Sequence, residues 1–216
     1  MSRVQSYLLG KCRNRRSLNE DQLVLFRYCD SLLRKSRKGL PEYDIDDKLE
    51  SSISIFNYLD DKDIFQKFYW HALRSRLIFM QSRSMDLEAA MILRLRKICG
   101  HLFTQKFHIM FTDIDKSADL NTKFASFFQN CHTEMGSEFV SKFIGESLLQ
   151  NSNQKVKSTQ VNSFIRVLRE NAWPINTSQL TPIILPGQLE TTVQMFEIFY
   201  RKQFEGRKLI WLHDYR

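Results

Sequence analysis

Four oxygen-bearing side chains at alternate positions have the spacing that comes nearest to a known chemistry. They are Asp113, Asp115, Ser117 and Asp119. A calcium-binding EF-hand loop places oxygen ligands in this way, with glycine at its sixth position and a bidentate glutamate at its twelfth. Here the sixth position is Ala118 and the twelfth is Phe124. The spacing therefore does not make a competent calcium loop.

A second group that could do chemistry consists of cysteines and histidines. Its members are Cys99, His101, His108, Cys131 and His132. Structural zinc sites combine closely spaced ligand pairs, and Cys99 with His101 lacks the close second pair that such sites use. Ordinary core and surface roles are favoured for these residues, so we expect no metal and no cofactor.

Signals for enzyme catalysis are also missing from the sequence. It contains no glycine-rich phosphate loop, no Gly-x-Ser-x-Gly elbow and no HExxH helix. Cys29 and Cys99 fall on apolar helical faces, which favours buried thiols over nucleophiles. His71, beside Trp70, is interpreted as an edge or partner-facing residue. We therefore expect no catalytic residues.

Composition bounds the class of protein. The 216 residues carry a formal charge of +8, with a pI near 9.4. This charge favours acidic partners, but its sign does not choose among nucleic acid, anionic lipid and an acidic protein tail. The four cysteines are irregularly spaced, and there is neither a secretory leader nor a membrane-spanning apolar run. We expect a soluble protein in a reducing compartment.

Apolar periodicity predicts helices over most of the first 130 residues. The stretch Ile53–Ile78 organises this region, because its apolar residues recur at helical steps on both sides of the charged run Asp60–Asp63. We predict two helices that meet at a charged corner. The second has a wide apolar stripe, so it should lie between neighbouring helices.

Helix-end signals predict further helices around this pair. One spans residues 21–33, and another begins at Ser84 and stops at Gly100. Thr104 is predicted to cap the next helix, and a separate short helix is predicted over residues 120–128.

The pattern changes after residue 130. Ser, Asn, Gln and Lys dominate residues 131–160, which predicts a linker or insertion. β-Favouring residues predict a strand over Val161–Leu168 and a closing strand over Lys208–His213, with a helix over Leu189–Tyr200 between them. The predicted fold is mainly α (α+β), with four parts: a basic N-terminal arm (1–20), a helical bundle (21–130), a polar linker (131–160) and a partial α/β domain (161–216).

Residues 56–77 carry a recognisable signature. The phrase F-Y-DKD-F-KFY-L-RL resembles the cullin-homology signature, in which it joins two helices. The matching residues are Phe56, Tyr58, Asp61, Lys62, Asp63, Phe65, Lys67, Phe68, Tyr69, Leu73, Arg76 and Leu77.

Phrases elsewhere extend this resemblance over residues 25–130 and 161–213. They are YCD-LL before the signature, then MI-LR-CG, FT-KF-MF-DI and S-DLN-F after it, and VQMFEIFY with GRKLIWLH near the C-terminus. The last two are most similar to the cullin-2 branch of the family.

The resemblance implies a non-catalytic scaffold, part of the core of a cullin-RING ubiquitin ligase in the cytoplasm and nucleus. It implies a middle fragment that lacks the N-terminal adaptor-binding repeats and the C-terminal winged helix that is neddylated. In this family the α/β portion accepts a strand from a RING-box protein into its own sheet. Carried over to this chain, the RING-box strand site comprises Phe164, Ile165, Arg166, Val167, Leu168, Leu209, Ile210, Trp211 and Leu212.

A cluster of positive charge near the C-terminus has two interpretations. This basic cluster consists of Arg201, Lys202, Arg207 and Lys208. A solvated face is the usual explanation, whereas the resemblance implies a basic channel that attracts the acidic tail of a ubiquitin-conjugating enzyme. Two alternatives for the whole chain stay open: a basic helical module that binds nucleic acid, and a truncated paralogue that folds but binds nothing.

Overall fold

The computed structural model describes residues 18–35, 41–134, 164–175 and 185–212. Its six helices in these ranges are α1 (Leu18–Leu33), α2 (Glu42–Phe56), α3 (Lys62–Ile78), α4 (Met85–Cys99), α5 (His101–Glu134) and α6 (Gly187–Gln203). The mainly helical prediction is confirmed. Most of the predicted basic arm and of the 131–160 linker lies outside the described residues.

The chain divides by its contacts into two compact units. The first comprises Met1–Ile114 with Leu168–Ile175, and the second comprises Asp115–Val167 with Asn176–Arg216. The predicted scheme placed one domain over 21–130 and another from 161. That scheme stays a prediction; by contacts, residues 168–175 belong to the unit that contains α1 to α4.

Aromatic rings along α3 form the centre of the first unit. Phe65 and Tyr69 are fully buried, with ring centroids 5.9 Å apart. Phe56 of α2 packs 4.8 Å from Phe65, and Phe107 of α5 packs 5.1 Å from Tyr69. The predicted position of α3 between neighbouring helices is confirmed. Rings of this size bury a large apolar area each, so they dominate the packing energy of the unit.

The charged corner between α2 and α3 is also confirmed. The Lys62 ammonium donates to the carbonyl oxygens of Asn57, at 3.2 Å, and Leu59, at 2.6 Å. It lies 5.7 Å from the centroid of the Phe56 ring. A single lysine thus bonds two carbonyl groups of the turn that joins α2 to α3.

A charged network is buried in the same unit. The side chains of Arg76 and Glu88 have no exposed surface, and Arg76 Nη2 donates to Glu88 Oε2 at 2.9 Å. Arg76 also bonds Asp30, while Tyr69 and Ser82 donate to Glu88. Burial, and secondarily the Glu88 carboxylate, raises the pKa of Tyr69. The hydrogen bonds compensate the cost of placing both charges away from water.

The ends of α4 agree with the prediction, but the helix after it does not. Ser84 is the N-cap of α4, and Gly100 ends the helix with a φ of 83°. Thr104 is not a cap: α5 begins at His101 and continues for 34 residues without the predicted break before residue 120. No glycine or proline interrupts that region of the sequence, so nothing in it stops the helix.

Residues 168–175 form a strap on the first unit. They include a short 3₁₀ helix, Glu170–Ala172, and the buried Trp173. The Trp173 indole donates to Asp113 Oδ2 at 2.9 Å, and the Trp70 indole donates to the Ala172 carbonyl oxygen at 2.7 Å. The core of the first unit is thus completed by residues far from α1 to α4 in sequence.

The second unit is built on a cluster of aromatic rings. Phe124 of α5 packs against Phe196 of α6 at 5.1 Å, and Phe127 packs against Phe199 at 5.4 Å. Trp211 lies 6.0 Å from Phe196. The helix predicted over Leu189–Tyr200 is confirmed within α6.

The predicted strands are not regular strands in the part of the chain that is described. The β-pairing found there is one isolated antiparallel bridge, Arg34 with Ser82. Residues 164–168 and 208–212 have no sheet assignment, and Val161 and His213 lie outside the described ranges. A strand becomes a sheet element only by pairing with another strand, and the backbones of Ile165 and Val167 bond side chains of α5 instead.

In the part of the chain that the structure describes, no helix combines the length and apolar character needed to cross a membrane.

Candidate functional site

The stretch predicted to receive a partner strand is held by side chains of α5. Asn121 Oδ1 accepts the Ile165 N–H at 2.9 Å, and Asn121 Nδ2 donates to the Ile165 carbonyl oxygen at 2.6 Å. Ser117 Oγ accepts the Val167 N–H at 2.9 Å and donates to the Val167 carbonyl oxygen at 3.3 Å. Two side chains therefore take the place of a neighbouring strand along one backbone edge.

The spacing of these two side chains along α5 matches the spacing of the backbone groups that they bond. Ser117 and Asn121 are four residues apart on α5, which corresponds to about 6 Å of helix rise. Ile165 and Val167 are two residues apart, which corresponds to about 6.6 Å in an extended chain. The two repeats nearly coincide, so an extended backbone lets Ile165 and Val167 both reach a hydrogen-bonding side chain of α5 without belonging to a sheet.

In the first unit, Asp113 continues the four-residue spacing of these α5 side chains. Its carboxylate accepts the Arg169 backbone N–H at 2.9 Å and the Arg169 Nε–H at 2.7 Å. Arg169 itself has extended backbone angles. Leu168 is half-buried and packs against the core of the first unit.

Side chains of residues 164–167 lie on alternate faces, as they do in a strand. Ile165 and Val167 pack against the aromatic cluster of the second unit. Phe164 is 49% exposed, and the Arg166 guanidinium lies 5.1 Å from the centroid of the Phe164 ring. Successive residues of an extended chain also direct their N–H and C=O groups to opposite edges. Since Ile165 and Val167 direct theirs to α5, Phe164 and Arg166 direct theirs to the other edge.

That second edge is open within the described part of the chain. No hydrogen bond is made there by the N–H or C=O of Arg166. An unpaired edge of an extended segment is a template on which another chain can pair. We define the open edge as the backbone of Phe164 and Arg166 that faces away from α5.

The second predicted stretch alternates in the same way. Leu209 and Trp211 pack against the aromatic cluster of the second unit, whereas Ile210 is 60% exposed. The Trp211 indole donates to Glu197 Oε1 at 2.6 Å, which anchors the stretch to α6. Leu212 is half-buried. Both predicted stretches therefore contact the same apolar cluster.

The basic cluster is exposed at all four of its positions. Three of its members, Arg201, Arg207 and Lys208, line a depression of about 220 Å³ together with Glu197, Tyr200 and Leu209. Arg201 lies 3.6 Å from the Glu197 carboxylate, and Arg207 lies over the Phe204 ring at 4.8 Å. The tertiary structure thus concentrates most of this charge at one place.

Five residues that were considered for chemistry lie on helices in the described part of the chain. Asp113, Asp115, Ser117 and Asp119 lie within α5, where alternate positions face different directions and cannot surround one ion. No grouping of three potential metal ligands occurs among the residues that the structure describes. Cys29 is buried, and desolvation raises the pKa of its thiol to about 12, which disfavours the reactive thiolate.

Sequence reasoning noted Asp113, Ser117 and Asn121 within motifs but assigned none of them the role of holding residues 165–169. Their four-residue spacing is visible in the sequence and places them on one face of a helix. Nothing local indicated that the face would bind residues 165–169, because the partners lie 44 to 56 positions away along the chain.

Family models match both parts of the chain. The cullin alpha solenoid domain matches residues 9–121, and the cullin alpha+beta domain matches residues 167–215. The chain belongs to the cullin family. The predicted resemblance is therefore confirmed.

Individual cullins match over most of this chain. It is 40% identical to Cullin-2 of Caenorhabditis elegans over 88% of its length, and 34% identical to Cullin-1 of the same organism over 91%. Cullin-1 of Dictyostelium discoideum is 33% identical over 92% of the chain. These matches cover 23%, 22% and 23% of the respective relatives, so this cullin chain spans about a quarter of their length.

Proposed function

We propose that this cullin chain is a non-catalytic scaffold segment of a cullin-RING ubiquitin ligase, which binds a RING-box protein through the open edge. The observation that carries the proposal is the extended stretch 164–167, with one edge occupied by α5 side chains and the other open. Membership of the cullin family supports the ligase assignment. We also propose a cytoplasmic and nuclear location.

Strand addition fits the physical state of the open edge. A partner strand would supply acceptors and donors for the backbone of Phe164 and Arg166, and these main-chain bonds would provide affinity. The α5 side chains prevent pairing on the other edge, so only one geometry of addition is available. Exposed apolar residues on the two predicted stretches, Phe164 and Ile210, offer contacts that would select the partner.

Proline at position 166 tests the main-chain contact. Arg166→Pro removes the outward N–H, whereas Arg166→Ala removes the side chain and keeps that donor. We expect Arg166→Pro to bind a RING-box protein about ten-fold more weakly than Arg166→Ala, in a pull-down titration or by calorimetry. Equal affinities of the two variants would contradict strand addition at this edge.

A second proline variant separates folding from binding. Val167→Pro removes the N–H that Ser117 accepts, so it should lower the thermal midpoint of the isolated chain. Arg166→Pro should leave that midpoint close to the value of Arg166→Ala. If both prolines destabilised the chain equally, the two edges would not differ as the structure indicates.

The basic cluster would then recruit a ubiquitin-conjugating enzyme. Clustered positive charge accelerates the encounter with an acidic segment, and salt weakens this effect. Support comes from the depression that Arg201, Arg207 and Lys208 share. Replacing all four cluster residues by glutamine should slow association with a conjugating enzyme at low salt and reduce its salt dependence. An unchanged rate would leave the cluster as a solvated face.

A scaffold contributes through position and not through chemistry. Holding an enzyme and its substrate near each other raises their effective concentration and fixes their orientation. The buried aromatic core along α3 and the buried Arg76–Glu88 pair give the first unit the packing that such a role requires. On this basis we propose that ubiquitin transfer uses no side chain of this chain as an acid, base or nucleophile.

A further inference from the structure

Arg166 occupies an unusual position for a charged residue. It is half-buried, and its Nε atom is out of contact with solvent and has no hydrogen-bond partner. Within the described part of the chain, no carboxylate forms an ion pair with its guanidinium. The guanidinium instead makes a cation–π contact with the Phe164 ring, 5.1 Å from its centroid.

The state of Arg166 is energetically unfavourable in the isolated chain. A buried donor without an acceptor loses its hydration and receives no bond in return. Desolvation lowers the pKa of the Arg166 guanidinium, although arginine keeps its charge. Arg169 provides the contrast, because its Nε–H donates to Asp113 at 2.7 Å.

The location of Arg166 shows where an acceptor can come from. Arg166 and Phe164 share one face of the extended stretch, and their backbone forms the open edge. A strand that adds at this edge brings its own side chains onto the same face, within reach of directly opposite and diagonal neighbours. Arginine offers a planar fork of N–H donors, and a carboxylate is the protein side chain that matches it with two oxygens.

We propose that the strand added at the open edge carries an aspartate or glutamate that pairs with Arg166. This inference rests on the proposed function, and it specifies the chemistry of the partner strand. The ion pair would supply the missing acceptor for Nε and would exclude strands with a lysine, an arginine or an apolar residue at that position.

The first test uses the isolated chain. Arg166→Met keeps a long side chain beside Phe164 but removes the unsatisfied donor and the desolvated charge. Its thermal midpoint should be equal to or higher than that of the wild type. A clearly lower midpoint would mean that Arg166 is already satisfied within the chain, and would overturn the inference.

The second test measures affinity for a RING-box protein at several salt concentrations. Arg166→Met should weaken binding at least about ten-fold, the effect of losing a close, partly desolvated ion pair. Arg166→Lys keeps the charge but lacks the planar fork of donors, so its affinity should fall between those of the wild type and Arg166→Met. Arg96→Gln is the control for net charge, since Arg96 is exposed on α4, and it should change affinity little.

Coupling to a partner carboxylate completes the test. Each aspartate and glutamate in the extended segment of the RING-box protein is replaced by its amide, one at a time. The affinity of each variant is then measured for the wild-type chain and for Arg166→Met. One amide replacement should weaken binding to the wild type and have no further effect on Arg166→Met.

The outcomes separate the two proposals. If the wild type binds and Arg166→Met binds equally well, or if no carboxylate is coupled to Arg166, the proposed ion pair is refuted and the proposal of strand addition still stands. If the wild type does not bind a RING-box protein, the proposed function fails and this inference falls with it.

Discussion

Replacing Asn121 by alanine should expose one backbone amide, that of Ile165, to hydrogen exchange. In the structure the Asn121 side chain bonds both the N–H and the C=O of Ile165, at 2.9 and 2.6 Å. The Val167 N–H is bonded separately by Ser117, at 2.9 Å. Protection from hydrogen exchange should therefore alternate along this stretch in the wild type, with the amides of Ile165 and Val167 protected and that of Arg166 exchanging rapidly.

The size of the effect follows from the number of bonds lost. A hydrogen bond contributes about 1 kcal/mol net, so opening Ile165 breaks bonds worth about 2 kcal/mol. Because each 1.4 kcal/mol is about a factor of ten, the Ile165 amide should exchange about thirty-fold more slowly in the wild type than in Asn121→Ala. Protection of Val167 should change much less, since Ser117 remains in place.

Residue-resolved amide exchange by NMR measures this directly. The matched control is Thr122→Ala, because Thr122 is exposed on the same helix and its hydroxyl bonds only the Ala118 carbonyl oxygen, at 3.2 Å. Adding a RING-box protein should slow exchange at Arg166. Equal protection of Arg166 and Ile165 in the free wild type, or an unchanged Ile165 in Asn121→Ala, would refute the two-edge description.

Three further predictions concern stability. Arg76→Met leaves Glu88 buried without its ion-pair partner, so it should cost about 3–5 kcal/mol in urea unfolding. Adding Glu88→Leu should restore part of the loss, since Tyr69 and Ser82 then lack their acceptor; no recovery in the double variant would show that the cost is not electrostatic. Gly100→Ala should cost about 1–2 kcal/mol in a thermal melt, because φ is 83° and no atom lies within 4 Å of the added Cβ; a neutral result would place residue 100 outside the left-handed region. Hydrogen bonds from Arg94 lower the pKa of Asp46 below its ordinary 3.8, so the stability it adds is present above that pH and is lost as the pH falls through the folded value. Asp46→Asn should therefore destabilise at pH 7, by less than about 1 kcal/mol since the side chain is 42% exposed, and match the wild type in acid; a larger difference in acid than at neutral pH would contradict this sign.

Much of the helical fold could be read from local signals. The corner at Asp60–Asp63, the cap at Ser84 and the stop at Gly100 all depend on residues within one turn of the helix end, so neighbouring residues suffice to predict them. The cap predicted at Thr104 was wrong because Gly100 had already ended the previous helix, and α5 begins at His101.

The candidate site was predictable only in part. β-Favouring residues predicted a strand over Val161–Leu168, and alternation predicted another over Lys208–His213. The resemblance to cullins supplied a reason to choose 164–168 and 209–212 within them. The tertiary structure added the α5 side chains that hold the first stretch, and hence the difference between its two edges. It also showed Arg166 without an acceptor.

The sequence by itself determined the family, the helical character and most helix ends of this cullin chain, because periodicity and capping act between near neighbours. Only the tertiary structure decided which segments share a core and which backbone edge is open. Ser117 and Asn121 meet Val167 and Ile165 across 50 and 44 positions of chain, and such pairings depend on how the intervening residues fold, not on any local preference.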